Sequence, residues 1–140
     1  MTHIIFALIS AAIMTTFLVW VSVKHGIQKS WSASVYVIRE NKYFMVTLFL
    51  TGTAAFIAHP TPLMFVSLLG LFFVGVYRDY RNCNRMYLLH GIAAIISAAA
   101  VIIDTSNYLW LAGLPVLYSK NRIFWIETII FYTTIYIIIK

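Results

Sequence analysis

Serine stands at every second position in the stretch "KSWSASV", giving Ser30, Ser32 and Ser34 in a chain with few ionisable side chains. A serine hydroxyl becomes a nucleophile when a neighbouring base takes its proton and an acid orients that base. One such set is available here: Ser30, Ser32 or Ser34 as nucleophile, with Ser32 and Ser34 foremost, His90 as base, and Asp79 or Glu127 as the orienting acid. No G-x-S-x-G elbow, S-x-x-K pair or glycine-rich phosphate loop accompanies it, so the set rests on the proximity its carrier elements would create. A second arrangement involves depth. His90 lies five residues beyond Arg85 and Glu127 five beyond Arg122, which on helices places each about 7 Å deeper than its arginine. An ionisable group inside an apolar helix is costly without a partner, so His90 and Glu127 are expected to form an interior polar pair. The plainer alternative has Glu127 snorkelling or pairing with Arg122 or Arg85, and His90 bonding a backbone carbonyl. Asp79 reads in the same plain way as a loop charge balanced by Arg78 and Arg81.

Metal and cofactor chemistry is not expected. The four histidines fall at positions 3, 25, 59 and 90, so no two share a helix face at metal-ligand spacing, and Cys83 is the only cysteine.

The elements that must carry these residues follow from composition. Of 140 residues 62% are hydrophobic and 10% charged, whereas about a quarter are charged in soluble domains. Uncharged apolar runs recur along the whole chain, which makes it an integral, multi-pass protein of the cell membrane, the cytoplasmic membrane if bacterial. Six runs read as spans, at about 2–23, 43–58, 62–77, 86–103, 107–118 and 123–139, forming one all-α transmembrane bundle over residues 1–140. The first lacks a basic leader and an A-x-A site, so it is expected to be retained. A run of sixteen covers only about 24 Å, so the short ones extend into their flanks or sit in a thinned bilayer. The fifth, with Gly113 and Pro115, reads as a crossing or as a broken, re-entrant helix.

If all six cross, Lys24, Lys29, Arg39, Lys42, Arg78, Arg81, Arg85, Lys120 and Arg122 share one side, nine of the ten basic residues. The opposite linkers, around 59–61 and 104–106, have none, so the basic side is cytoplasmic and both termini lie outside. Without the fifth crossing Lys120 and Arg122 would change sides, so charge favours six. Residues 25–41 then read as an interfacial helix, with Trp31, Val35 and Ile38 on its apolar face and its serines turned toward water. Small residues should mark the packed faces: Gly91, Ala94 and Ala98 on a central fourth helix, Gly52 and Ala55 on the second, Ser67 and Gly70 on the third. His59 reads as part of the "HPTP" turn and Asp104 as a cap for the fifth helix.

The stretch containing Ser32, Ser34 and Tyr36, with "FVGVY" at 73–77 and His90, resembles small uncharacterised polytopic membrane proteins of bacteria and their phages over about residues 26–95. That resemblance implies a membrane protein and no particular role. More remotely, serine, aspartate and histidine near cytoplasmic span ends resemble the alkaline ceramidase and adiponectin-receptor membrane hydrolases. That family implies zinc held by three histidines, including a His-x-x-x-His pair that this sequence lacks.

The leading functional expectation is non-enzymatic: a protein binding membrane lipids, anionic ones in particular, or a membrane-protein partner through its basic cytoplasmic face. A second copy of the chain is another candidate partner. The formal charge of +6 lies in short clusters between spans, so no nucleic-acid partner is expected. A lipid-directed hydrolase using the serine and His90 set is the alternative. A proton- or ion-coupled transporter is a third; it would need polar residues across the whole midplane, for which Thr51, Thr53, Ser67 and Ser97 are few and mild.

Overall fold

The computed structural model describes residues 1–38, 42–77 and 83–140. Among these the chain is helical, with no strand. Five α-helices, α1 (Thr2–His25), α2 (Lys42–Ala58), α3 (Pro62–Val76), α4 (Asn84–Thr105) and α5 (Arg122–Ile139), are joined by two 3-10 helices, Ser32–Tyr36 and Leu109–Tyr118, and by short turns. The six apolar stretches read from the sequence are all helical. Three of them, α1, α4 and α5, with 24, 22 and 18 residues, are long and apolar enough to cross a membrane, which identifies a membrane protein. The fifth stretch is 3-10 rather than α. Pro115 lacks a backbone N–H and restricts Leu114 before it, so an α-helical ladder cannot run through. Gly113 lets this helix lie close on α5, since a Cβ there would come within 2.5 Å of Ile129 Cδ1.

Leu8, Val19, Phe49, Ile95 and Ile103 are exposed, while Ser10, Thr51, Ser67, Ser97, Asn107 and Thr134 are buried. Such an arrangement suits hydrocarbon, where apolar side chains gain nothing by leaving solvent and small or polar residues hold helices together. Helices adjacent in sequence pack on one another from α1 through α4, and α5 closes the bundle against α1 and, more sparsely, α4. Between α1 and α2 the Ser10 hydroxyl donates to the Thr51 carbonyl at 2.9 Å. The Asn107 amide donates to the hydroxyls of Thr133 and Thr134 at 2.8 and 2.9 Å, tying the end of α4 to α5.

On α4 the packed face differs from the expected one. It consists of His90, Ala93, Ser97 and Ala100, whereas a Cβ on Gly91 would meet nothing within 4 Å. The reason lies on α3, where Gly70 sits against Ala93 and Ser97, and the hydroxyls of Ser67 and Ser97 meet at 3.0 Å. This contact fixes the rotation of α4 and turns Ala94 and Ala98 toward a cavity. Helix α4 is therefore one wall of the bundle, not its centre. Gly52, expected to offer a contact surface, does so against Leu68 of α3.

At the end away from most basic residues, Thr61 caps α3, its Oγ1 accepting from Met64 N at 3.0 Å and donating to Asp104 Oδ2 at 2.7 Å. His59 Nε2 reaches the same oxygen at 3.2 Å. Asp104 thus clamps the α2–α3 turn to α4, in place of capping the following helix; α4 continues to Thr105 and ends at Ser106 in the left-handed region, φ 49°. Thr61→Val removes both the cap and the bond to Asp104, and should lower unfolding stability by about 1–2 kcal/mol. Denaturation of the detergent-solubilised protein measures this, with Asp104→Asn, which keeps an acceptor oxygen, expected to lose less.

Candidate functional site

The connector between α1 and α2 turns into the bundle. Gly26, at φ 76°, ends α1 in a conformation that L side chains rarely adopt, and its N–H closes on the Ser22 carbonyl at 2.9 Å. The chain then runs beside the start of α5. Asn121 Nδ2 donates to the Ile27 carbonyl at 3.1 Å, and the N–H of Phe124 to the Lys29 carbonyl at 3.1 Å. Ser30 Oγ accepts from Ala33 N at 3.1 Å and so starts the 3-10 turn. Trp31, Val35 and Ile38 all join the main hydrophobic cluster with Met14, Phe17 and Phe44.

The expected interfacial helix is therefore a buried plug, and the expected water-facing serines point inward: Ser32 is 4% exposed and Ser34 fully buried. The neighbouring helices supply partners for Ser32 and for the amide and indole of Trp31, which lowers the cost of burying them, and the apolar side chains of the connector join the core.

The residues singled out for chemistry distribute as follows. Ser32 Oγ lies 2.8 Å from His90 Nε2, and both are buried. The backbone at Val74 and Tyr77, at the end of α3, lies close to the imidazole. One residue earlier, the backbone N–H of Trp31 donates to Glu127 Oε2 at 2.6 Å, and its indole N–H donates to Thr128 Oγ1 at 3.0 Å. His90 and Glu127 thus converge on the connector through consecutive residues, Ser32 and Trp31. The Ser34 hydroxyl is buried without a hydrogen-bond partner among the described residues. Asp79, Arg39, Arg78 and Arg81 lie outside the described residues. The other residues of the expected basic face, Lys24, Lys29, Lys42, Arg85, Lys120 and Arg122, are all exposed, on connectors or helix ends. Among the described residues no three His, Cys, Asp or Glu side chains gather as a metal site would require.

Comparison with protein-family models, curated proteins and solved structures finds no match.

Beside the plug, enclosed by α1 through α5, is a partly open cavity of about 140 Å³. Its lining is apolar for the most part, from side chains such as Met14, Leu48, Leu71 and Phe131, with Ser32, Thr51, Ser67, Ser97, Thr134 and Glu127 contributing polar atoms. Its volume is comparable with that of an engineered apolar cavity of about 150 Å³ that holds benzene. Reading the sequence by runs did not reveal this space. The signals in the sequence are Thr51 and Thr134, hydroxyl groups within apolar helices, and Ala94 and Ala98, whose small side chains leave room.

Proposed function

We propose that this chain is a six-pass protein of the cell membrane, basic end in the cytoplasm, that binds anionic lipid head groups at that end and holds an apolar guest from the bilayer in its cavity. The cavity carries the reading: a fully packed bundle would need no such space, and voids larger than a water molecule are few in protein interiors. Six exposed Lys and Arg surround the same end, and each attracts an anionic leaflet by about 1 kcal/mol near the surface.

Orientation has a native probe. Cys83, the only cysteine, is exposed at the start of α4 on the basic end. The backbone N–H groups of Met86 and Arg85, and the Arg85 charge, lower its thiol pKa below the usual value, so it should alkylate at lower pH than an ordinary thiol. An impermeant maleimide is expected to spare Cys83 in intact cells and to label it in inverted vesicles. A Cys83→Ser, Thr105→Cys protein should show the opposite pattern; labelling in the reverse sense would overturn the orientation. For the guest, 4-fluorotoluene should give a bound fluorine resonance with the purified protein in detergent, abolished by filling the cavity with Ala98→Leu. Its absence in the parent would sink the cavity reading.

The 2.8 Å Ser32–His90 contact favours a second reading, acyl transfer from a lipid ester. In it Ser32 Oγ attacks the ester carbonyl, His90 Nε2 takes the hydroxyl proton and returns it to the leaving alkoxide, and water hydrolyses the resulting acyl-serine. Labelling by a fluorophosphonate, lost in both Ser32→Ala and His90→Ala, would support it. An unlabelled parent that also leaves labelled phospholipid intact would remove it.

A further inference from the structure

We propose that the guest of the cavity is a small lipophilic amine, its ammonium group held by Glu127. This rests on the reading of the cavity as a ligand site and specifies the chemistry of the ligand. Glu127 lines the cavity, and Oε2 accepts one bond, from the backbone N–H of Trp31. A carboxylate in a low-dielectric interior needs an opposite charge as well as hydrogen bonds. None of the described Lys or Arg side chains lines this space: Lys24, Lys29, Lys42, Arg85, Lys120 and Arg122 are exposed at one end of the bundle and Lys140 is exposed at the end of α5. An ammonium brought by the guest would supply that opposite charge.

A second observation points into the same space. Thr51 is 1% exposed, lines the cavity, and its Oγ1 has no hydrogen-bond partner among the described residues. A buried hydroxyl left unbonded keeps its full desolvation penalty, and an ammonium N–H would satisfy it. The other walls are apolar, from Met14, Leu48, Leu71, Phe131 and Ile135, so they suit a hydrocarbon body behind the charged group. Volume sets the size. About 140 Å³ takes a single ring or a short alkyl chain and is far too small for a glycerolipid. A free small amine that partitions into the bilayer matches that size.

Fluorine NMR of the purified full-length protein in detergent, against protein-free micelles, separates this from the cavity reading. Three probes of one shape are used: 4-fluorobenzylamine, 4-fluorobenzyl alcohol and 4-fluorotoluene. The amine is expected to bind at least tenfold more tightly than either neutral probe, and Glu127→Gln to remove that preference while retaining 4-fluorotoluene. Equal binding of the three by the parent, or a preference that survives Glu127→Gln, overturns the amine and leaves the cavity reading standing. Failure of all three overturns both. The parent's ranking of the probes decides the matter even if Glu127→Gln does not fold.

Discussion

Gly70→Leu is expected to separate α3 from α4 and to cost about 3 kcal/mol or more of stability. A Cβ at Gly70 would lie 2.7 Å from Ser97 Cβ, 2.9 Å from the Ala93 carbonyl oxygen and 3.1 Å from Ser97 Cα. None of these atoms can move by changing rotamer, so the helices themselves must part. Parting them also breaks the Ser67–Ser97 hydroxyl contact and the bond from Ser97 Oγ to the Ser67 carbonyl at 2.9 Å. Even Gly70→Ala should destabilise, because the clash begins at Cβ. Gly91→Ala on the exposed side of the same pairing is the control: open space surrounds that position, and replacing a mid-helix glycine with alanine is expected to gain about 0.5–1 kcal/mol. Unfolding of each variant by denaturing detergent, followed by circular dichroism, should show the three in the order Gly91→Ala, Gly70→Ala, Gly70→Leu.

The second large effect is expected at Trp31. Its indole is 8% exposed, packs edge-on to Phe131 at 5.6 Å between centroids, and donates to Thr128. Trp31→Ala removes all of this at the centre of the plug and is expected to cost about 3–5 kcal/mol. The local consequence is more telling than the global one. Lys29, exposed two residues away, should become a rapid trypsin site once the connector loosens, while the helices beyond keep their circular dichroism. Trp31→Phe retains ring packing but loses the indole N–H, and is expected to fall between the two, near the parent in cleavage rate.

How much of this was legible in the sequence differs by residue. The positions of the apolar helices follow from run length alone, because in lipid a helix must satisfy its own backbone and so declares itself by composition. The contact faces of α3 and of the second helix, at Gly70, Ser67 and Gly52, follow from residue size. The face of α4 does not: its small residues form two overlapping rows, and only the partner surface on α3 selects Ala93 and Ser97 over Gly91 and Ala94. The direction of the connector was hidden for a related reason. "KSWSASV" reads as an interfacial helix with its serines toward water, but the bundle interior offers Ser32 a partner in His90. Ser32 and His90 were named from types and proposed sides; that they meet depends on Gly26 turning the chain inward and on Trp31 anchoring it. The Trp31 N–H to Glu127 bond left no signal in residue types, since a backbone amide is common to every position.

The bonds that hold the plug also impose an order on its assembly. Trp31 meets Glu127 and Thr128 across 96 and 97 positions of sequence. With synthesis at about 5–20 residues per second, the connector leaves the ribosome roughly 5–20 s before the start of α5 exists. For that interval the Trp31 amide, its indole N–H and the carbonyls of Ile27 and Lys29 lack their final partners. Arrival of the last helix is therefore the event that seats the first connector, and a chain truncated before residue 121 would be left with its plug unlatched.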